Sequence, residues 1–167
     1  TIVKMVKIAV IWFPGQNCEN ETKQAAQSAD VVITSVSADA DLLELTERLA
    51  SVVPAGSVVI DTSTVSAQTA KLVADQLSAH GIHFLDAPVS GGREGAEKGT
   101  MVIMAGGDQA VFDRMQPVFE AIGSKAVWMG PSGAGQSTKA VNQIMAAGIN
   151  QAVTDALAFA ISQQLDT

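Results

Sequence analysis

The chain has 167 residues, of which 47% are hydrophobic and 16% are charged, so it can build a core and is not expected to be disordered. Its net charge of -7 argues against a nucleic acid partner, because such binding depends on Lys and Arg neutralising phosphates. Cys18 is the single cysteine, and neither a signal-peptide pattern nor an uninterrupted apolar stretch of about 18 residues occurs, so we expect a cytoplasmic protein with no disulfide and no membrane partner.

The N-terminal region predicts a strand followed by an unusual turn. Val6 to Phe13 is a short apolar run rich in β-branched residues, which is typical of a buried strand. A dinucleotide-binding fold would continue with Gly-x-Gly-x-x-Gly, whose backbone approaches a pyrophosphate. Pro14 to Glu21 instead holds one glycine and two acidic residues, which would repel a phosphate. Residues 7–23 resemble the first strand and turn of the glutaminase subunit of phosphoribosylformylglycinamidine synthase, through Phe-Pro-Gly-x-Asn-Cys, and we interpret Cys18 as structural.

Strand and helix patterns then alternate along the chain. Apolar runs predict strands over 30–36 and 57–61, and apolar residues at helical spacing predict helices over 38–52 and 67–80. Ser37 can cap the first of these helices. The two histidines lack cysteine or carboxylate partners at ligand spacing, so no metal site is expected. The alternation predicts an α/β fold with a mostly parallel, Rossmann-like sheet flanked by helices.

The next feature is a strand that runs into a glycine-rich corner. Phe84 to Val89 predicts the strand, and Ser90, Gly91 and Gly92 follow it directly. Such a corner can aim backbone N–H groups and a hydroxyl at an anion without obstruction by side chains. Further strands are predicted over 100–105 and 125–129, and the apolar residues between them are interpreted as core at helical spacing.

The stretch from Gly130 to Gln143 combines a glycine-rich turn with the start of a helix. Lys139, Asn142 and Gln143 share one helix face, because residues three and four apart are neighbours. One interpretation is an oxygen-handling site, in which Lys139 exchanges a proton with a hydroxyl or carbonyl oxygen and Asn142 orients the same group. The other is a helix start with a solvated lysine.

Both stretches resemble the β-hydroxyacid dehydrogenases, the family of 3-hydroxyisobutyrate dehydrogenase and tartronate semialdehyde reductase. The family's D-A-P-V-S-G-G-x-x-G-A-x-x-G-T run is complete from Asp86 to Thr100. Its G-x-x-G-x-G-x-x-x-K-x-x-N run, followed by Asn or Gln, is complete from Gly130 to Gln143. The resemblance extends over residues 24–167 and implies an NAD(P)-dependent oxidoreductase acting on a small 3-hydroxy acid or semialdehyde.

The resemblance also implies roles for particular residues. Lys139 corresponds to the catalytic lysine, Asn142 holds the reacting oxygen, and the substrate carboxylate lies on Ser90, Gly91 and Gly92. For NAD or NADP, it implies that the nicotinamide end contacts the loops after two strands. These loops contain Val36, Ser37 and Thr64. Thr64 has an alternative interpretation as part of a capping turn for the next helix, and Val36-Ser37 replaces the Leu-Pro pair of relatives.

Two expectations concern regions outside these motifs. Only a short connection joins the first strand to the strand over 30–36, where the family has two more strands, so the adenosine half of a cofactor site has no visible source and the chain looks like a join of two unrelated starts. We divide the chain into a dinucleotide-binding type domain over 1–135, with an atypical start over 1–23, and a helix over 136–167. In the family this helix enters an all-helical domain that this sequence lacks.

The apolar stripe of that helix predicts self-association of the chain through residues 136–164. Three functional hypotheses follow from the sequence. The first is a working NAD(P)-dependent dehydrogenase, and the second is a chimeric or truncated fold that self-associates without catalysis. The third is a glutaminase-related module that binds a purine-pathway partner.

Overall fold

The computed structural model describes residues 6–12 and 24–167. The predicted turn from Pro14 to Glu21, including Cys18, lies outside the described residues. The described residues form one seven-stranded sheet. Its strands are β1 (Ile8–Trp12), β2 (Val31–Ser35), β3 (Val58–Asp61), β4 (His83–Asp86), β5 (Val89–Ser90), β6 (Val102–Gly107) and β7 (Lys125–Gly130).

The sheet consists of two blocks that run in opposite directions. Strands β1 to β4 lie side by side in chain order, and each neighbouring pair is parallel. Strand β6 is antiparallel to both β4 and β5, while β7 is parallel to β6. The short strand β5 therefore continues the line of β4 along β6. The predicted mostly parallel, Rossmann-like sheet is confirmed, and the reversed second block is an addition to it.

Helices cover both faces of the sheet. The helices whose bounds lie within the described residues are α1 (Asp39–Ala50), α2 (Ala67–Ser78), α3 (Gly92–Lys98), α4 (Gln109–Arg114), α5 (Gln116–Ile122) and α6 (Ala134–Ser162), and residues 24–27 are also helical. Alternate strand residues point to opposite faces, which separates the core into two apolar layers. Helices α1 and α2 pack on the face that includes Val32 and Val59. Helices α4 and α5 pack on the face that includes Ile33 and Ile60.

Three local features differ from the sequence predictions. Helix α1 is flanked by Ala38, which makes no side-chain capping bond, so the predicted cap by Ser37 is wrong. The predicted core helix after β6 is two helices, α4 and α5, separated at Met115 and with Pro at the start of the second. Helix α3 begins inside the glycine-rich corner, where glycines had masked its helical pattern.

Helix α6 has two parts with different surroundings. Its buried residues are Gly135, Gln136 and Lys139, all in the first two turns, and every residue from 140 to 159 is exposed. By length and composition alone, this described helix could cross a membrane. The sequence prediction of no membrane span rests on the lack of an uninterrupted apolar stretch of about 18 residues, and this helix contains polar residues such as Asn150 and Asp155. The apolar stripe predicted over 136–164 is exposed from residue 140 to residue 159.

Candidate functional site

The predicted cofactor residues lie where parallel strands end. Thr34, Asp61 and Asp86 are cross-strand neighbours at the carboxyl ends of β2, β3 and β4. Val36 follows β2 and is half-buried, whereas Ser37 is exposed. Thr64 is exposed in the loop between β3 and α2. This arrangement places all three predicted residues on loops at one edge of the sheet, the position at which α/β folds bind ligands.

A buried network of hydrogen bonds joins these loops. The hydroxyls of Thr34 and Ser63 donate to Oδ1 of Asp61, at 2.8 and 2.6 Å. The N–H of Val36 in turn donates to the Ser63 hydroxyl at 2.8 Å. Asp61, Ser63 and Thr34 are all buried. The network therefore fixes the loop after β2 against the loop after β3, with Asp61 as its anchor.

Two buried carboxyl groups lie next to each other in this region. Burial raises the pKa of Asp61, and the charge of the neighbouring Asp86 raises it further, against the hydrogen bonds from Ser63 and Thr34. Burial also raises the pKa of Asp86, against backbone N–H groups that lower it. Among the described residues, Oδ2 of Asp61 has no hydrogen-bond partner, which is unusual for a buried polar atom. The pair thus favours a bound proton more than exposed carboxyls would.

Asp86 fixes the start of helix α6. Its Oδ1 accepts the N–H of Gly133 at 2.7 Å, and its Oδ2 accepts the N–H of Gln136 at 2.9 Å. A Cβ at position 106 would lie 2.5 Å from Oδ1, and one at 135 would lie 2.9 Å from Oδ2, so both positions require glycine. The carboxylate caps N–H groups that the helix cannot satisfy internally, although it comes from a strand.

Gln136 connects the same helix to the loop of Thr64. Its Nε2 donates to the carbonyl oxygen of Ser63 at 2.8 Å, and its Oε1 accepts the N–H of Val65 at 3.1 Å. These two bonds bracket Thr64. The Gln136 side chain is only 2% exposed, so its bonds are made away from bulk solvent.

Lys139 lies one turn beyond Gln136 on the same side of α6. It is 8% exposed, and among the described residues its amine makes neither a hydrogen bond nor an ion pair. Asn142, one turn further, is exposed. The interpretation of Lys139 as a freely solvated surface lysine does not fit this burial. An unpaired amine near the surface could exchange a proton with a bound ligand.

The glycine-rich corner lies further along the line of strand that contains Asp86. Ser90 ends β5 and is half-buried, while Gly91 and Gly92 have φ angles of 141° and 59°. A Cβ at Gly91 would lie 3.3 Å from Cα of Gly95, so the sharp bend into α3 favours glycine. In the part of the chain described, no hydrogen bond joins Lys139 to this corner. Asp86 links them, since it precedes Ser90 by four residues and holds the helix of Lys139.

The residues that connect the site were not predicted from the sequence. Asp61 was recognised only as the end of a predicted strand and Asp86 only as the first residue of a motif, and Ser63 and Gln136 were given no role. The available signal was an acidic residue at the end of each of two apolar strands. A buried acidic residue usually has a structural or functional partner. Within the described ranges, no group of three or more His, Cys, Asp and Glu residues could hold a metal ion.

Comparison with known proteins assigns most of this chain. Residues 7–130 match the family model described as the NAD binding domain of 6-phosphogluconate dehydrogenase. An uncharacterized oxidoreductase of Shewanella frigidimarina is 46% identical over 147 residues, which are 86% of this chain and 50% of that protein. The 2-hydroxy-3-oxopropionate reductase of Escherichia coli is 46% identical over 105 residues, which are 63% of this chain and 36% of that protein.

A solved structure supports the same assignment. The 3-hydroxyisobutyrate dehydrogenase of Mycobacterium tuberculosis, determined with L-serine, superposes with a TM-score of 0.86 at 32% identity. The superposition covers 89% of this chain and 51% of that one, so the chain spans about half the length of the relatives it matches. The family match starts at residue 7 and includes the segment compared above with a glutaminase subunit. The resemblance of residues 7–23 to a glutaminase subunit is therefore unsupported.

Proposed function

The chain belongs to the family of the NAD binding domain of 6-phosphogluconate dehydrogenase, and from that premise we propose that it is an NAD(P)-dependent oxidoreductase of the β-hydroxyacid dehydrogenase type. Its substrate would be a small 3-hydroxy acid or the corresponding semialdehyde. The observation that carries the proposal is the largely buried side chain of Lys139, whose amine has no partner among the described residues, on a helix tied directly to the Thr64 loop. The matched relatives include proteins named for such substrates.

The described residues fit one end of a dinucleotide better than the other. Ser37 and Thr64 offer exposed hydroxyls on adjacent loops at the carboxyl edge of the sheet, which suits a nicotinamide carboxamide. Val36 is held beside them by its bond to Ser63. The pyrophosphate would lie near residues 13–23, outside the described residues, where the sequence has one glycine and two acidic residues.

Side-chain and backbone groups of this chain would transfer the proton and bind the substrate carboxylate. In the direction of oxidation, the amine of Lys139 would take the proton from the substrate hydroxyl, while Asn142 donates a hydrogen bond to the same oxygen. Ser90 and the backbone at Gly91 and Gly92 would hold the carboxylate and so fix the orientation of the alcohol carbon. The bound nicotinamide would accept the hydride from that carbon.

Titration calorimetry with NAD and with NADP is the first test, and turnover of 3-hydroxyisobutyrate and L-serine is the second. Lys139→Ala should lower the rate by about 10²–10⁴-fold, as for removal of a general acid–base group, with little change in melting temperature. Lys125→Ala, which removes an exposed lysine on β7, is the matched control and should keep the rate. A chain that binds neither nucleotide, or that keeps its rate without Lys139, would contradict the proposal.

The second candidate is a non-catalytic Rossmann-like fold that self-associates through α6. The exposed apolar side of α6 favours it, together with the acidic turn in the sequence. This candidate predicts oligomers whose melting temperature does not respond to NAD or NADP, whereas the dehydrogenase predicts a rise on adding nucleotide. The prediction of a cytoplasmic location applies equally to both.

A further inference from the structure

Gln136 makes hydrogen bonds that helix α6 does not need for its own start. Asp86 already accepts the N–H of Gln136, so the cap of the helix is supplied from β4. The side-chain amide of Gln136 instead reaches backbone groups that are 71 and 73 residues earlier in the chain. A capping residue needs only local partners. These bonds must therefore serve the relation between the helix and the loop.

The two bonds constrain both the loop and the helix. The carbonyl oxygen of Ser63 and the N–H of Val65 flank Thr64, so the Gln136 amide holds this residue from both sides. Gly133 completes the contact, because a Cβ there would lie 2.8 Å from the carbonyl oxygen of Ala67 at the start of α2. Asp86 fixes where α6 begins, and Gln136 fixes the rotation of the helix about its axis.

The constraint acts on Lys139, which is three residues from Gln136 on the same helix face. A rotation of the first turn would carry the amine away from its present 8% exposed position, since no described partner holds it there. We propose that Gln136 is a positioning residue, whose amide fixes the Lys139 amine relative to the Thr64 loop. The inference deepens the proposed function and rests on it for its catalytic meaning.

This arrangement would orient the two reactants relative to each other. If Thr64 contacts the nicotinamide and Lys139 the substrate oxygen, the bonds of Gln136 set the separation of the two reactants. Small displacements of reacting groups lower rates strongly without a matching loss of binding. Removing the amide should therefore lower kcat much more than it raises KM for the nucleotide.

The test replaces Gln136 with Met, which keeps the length of the side chain and removes both hydrogen bonds. The exposed Gln68 on α2 offers the matched control, Gln68→Met. The primary measurement uses the full chain without substrate: amine acetylation by acetic anhydride across pH, with each lysine quantified by mass spectrometry. We expect Lys139 to react at least about fivefold faster in Gln136→Met, with an altered pH profile, while Lys98 and Lys125 keep their wild-type rates.

The outcomes test the positioning role and the proposed function separately. Unchanged labelling of Lys139 in a folded Gln136→Met chain would overturn the positioning role, whether or not the wild type binds nucleotide. If Gln136→Met and Gln136→Ala both fail to fold, the side chain maintains the whole fold and the positioning role is equally overturned. Failure of the wild type to bind NAD and NADP would overturn the proposed function, and labelling would still decide whether Gln136 holds the amine. With turnover, an equal change in kcat and KM would also contradict the inference.

Discussion

The adjacent carboxyls of Asp61 and Asp86 are the residues with the most unusual surroundings. Both are fully buried and lie side by side across β3 and β4. Asp86 uses both of its oxygens on the backbone of α6, whereas Oδ2 of Asp61 has no partner in the part of the chain that the structure describes. Asp86 is therefore the better stabilised anion, and Asp61 is the carboxyl expected to bind a proton more readily.

This assignment predicts how stability depends on pH. A carboxyl whose folded pKa is raised binds its proton more tightly in the folded than in the unfolded state. Its contribution to the free energy of unfolding is therefore greatest at low pH. That stability is lost as pH rises from the unfolded value of 3.8 through the raised folded pKa. Each such carboxyl contributes up to about 1.4 kcal/mol per pH unit in that window.

Asp61→Asn should make this slope shallower, because it removes the carboxyl that holds the proton while its amide oxygen still accepts from Thr34 and Ser63. Urea unfolding of the variant and the wild type at a series of pH values above 4 measures the slope. Asp75→Asn on the exposed side of α2 should leave it unchanged. Identical slopes for Asp61→Asn and the wild type would show that Asp61 is ionised throughout the range.

At the scale of the element, helix α6 has a regular apolar ridge. A large apolar residue recurs at every fourth position, and all six are between 47% and 65% exposed: Val141, Met145, Ile149, Val153, Leu157 and Ile161. Residues four apart form one of the ridges by which helices pack into each other's grooves. Small residues such as Gly148, Ala152 and Ala156 lie beside the ridge and would let a second helix approach closely.

The ridge predicts self-association of this chain at micromolar concentration. Ile149→Glu combined with Val153→Glu places two charges on the ridge and should shift the chain to a monomer, because burying unpaired charge in an interface is strongly unfavourable. Asn150→Glu combined with Thr154→Glu adds the same charge one residue further along and should leave the oligomer intact. Sedimentation velocity measures both variants. A full-length chain that is monomeric and instead floats with phosphatidylcholine vesicles would contradict the prediction.

At the scale of the whole molecule, features that depend on local sequence patterns could be predicted, whereas long-range connections could not. The apolar run ending at Asp61 placed β3 within one residue, and the two complete motifs pointed to hydroxyacid dehydrogenases, which are among the relatives that comparison then found. No local pattern distinguishes a strand that joins the sheet parallel from one that joins it reversed, so the direction of β6 and β7 was missed. The partners of Gln136 are more than 70 residues away, beyond the range of any spacing rule.

The molecule as a whole also separates into a packed body and an exposed helical extension. Both core layers lie between the sheet and helices α1, α2, α4 and α5. The buried residues of α6 end at Lys139. Since burial supplies most of the free energy of folding, the remainder of α6 should contribute little to the stability of the body.

A chain ending at Ala147 tests this separation, because it keeps Gln136, Lys139 and Asn142 and removes most of the exposed extension. Its free energy of unfolding in urea should lie within about 1 kcal/mol of the reference, which is the typical scale for changes at exposed positions. The full-length Ile149→Glu, Val153→Glu variant is the proper reference, since comparison with the wild type would also count any stability gained by association. A retained cooperative transition would show that the body folds without the extension. Loss of that transition would show instead that the exposed turns of α6 stabilise the body through the helix itself.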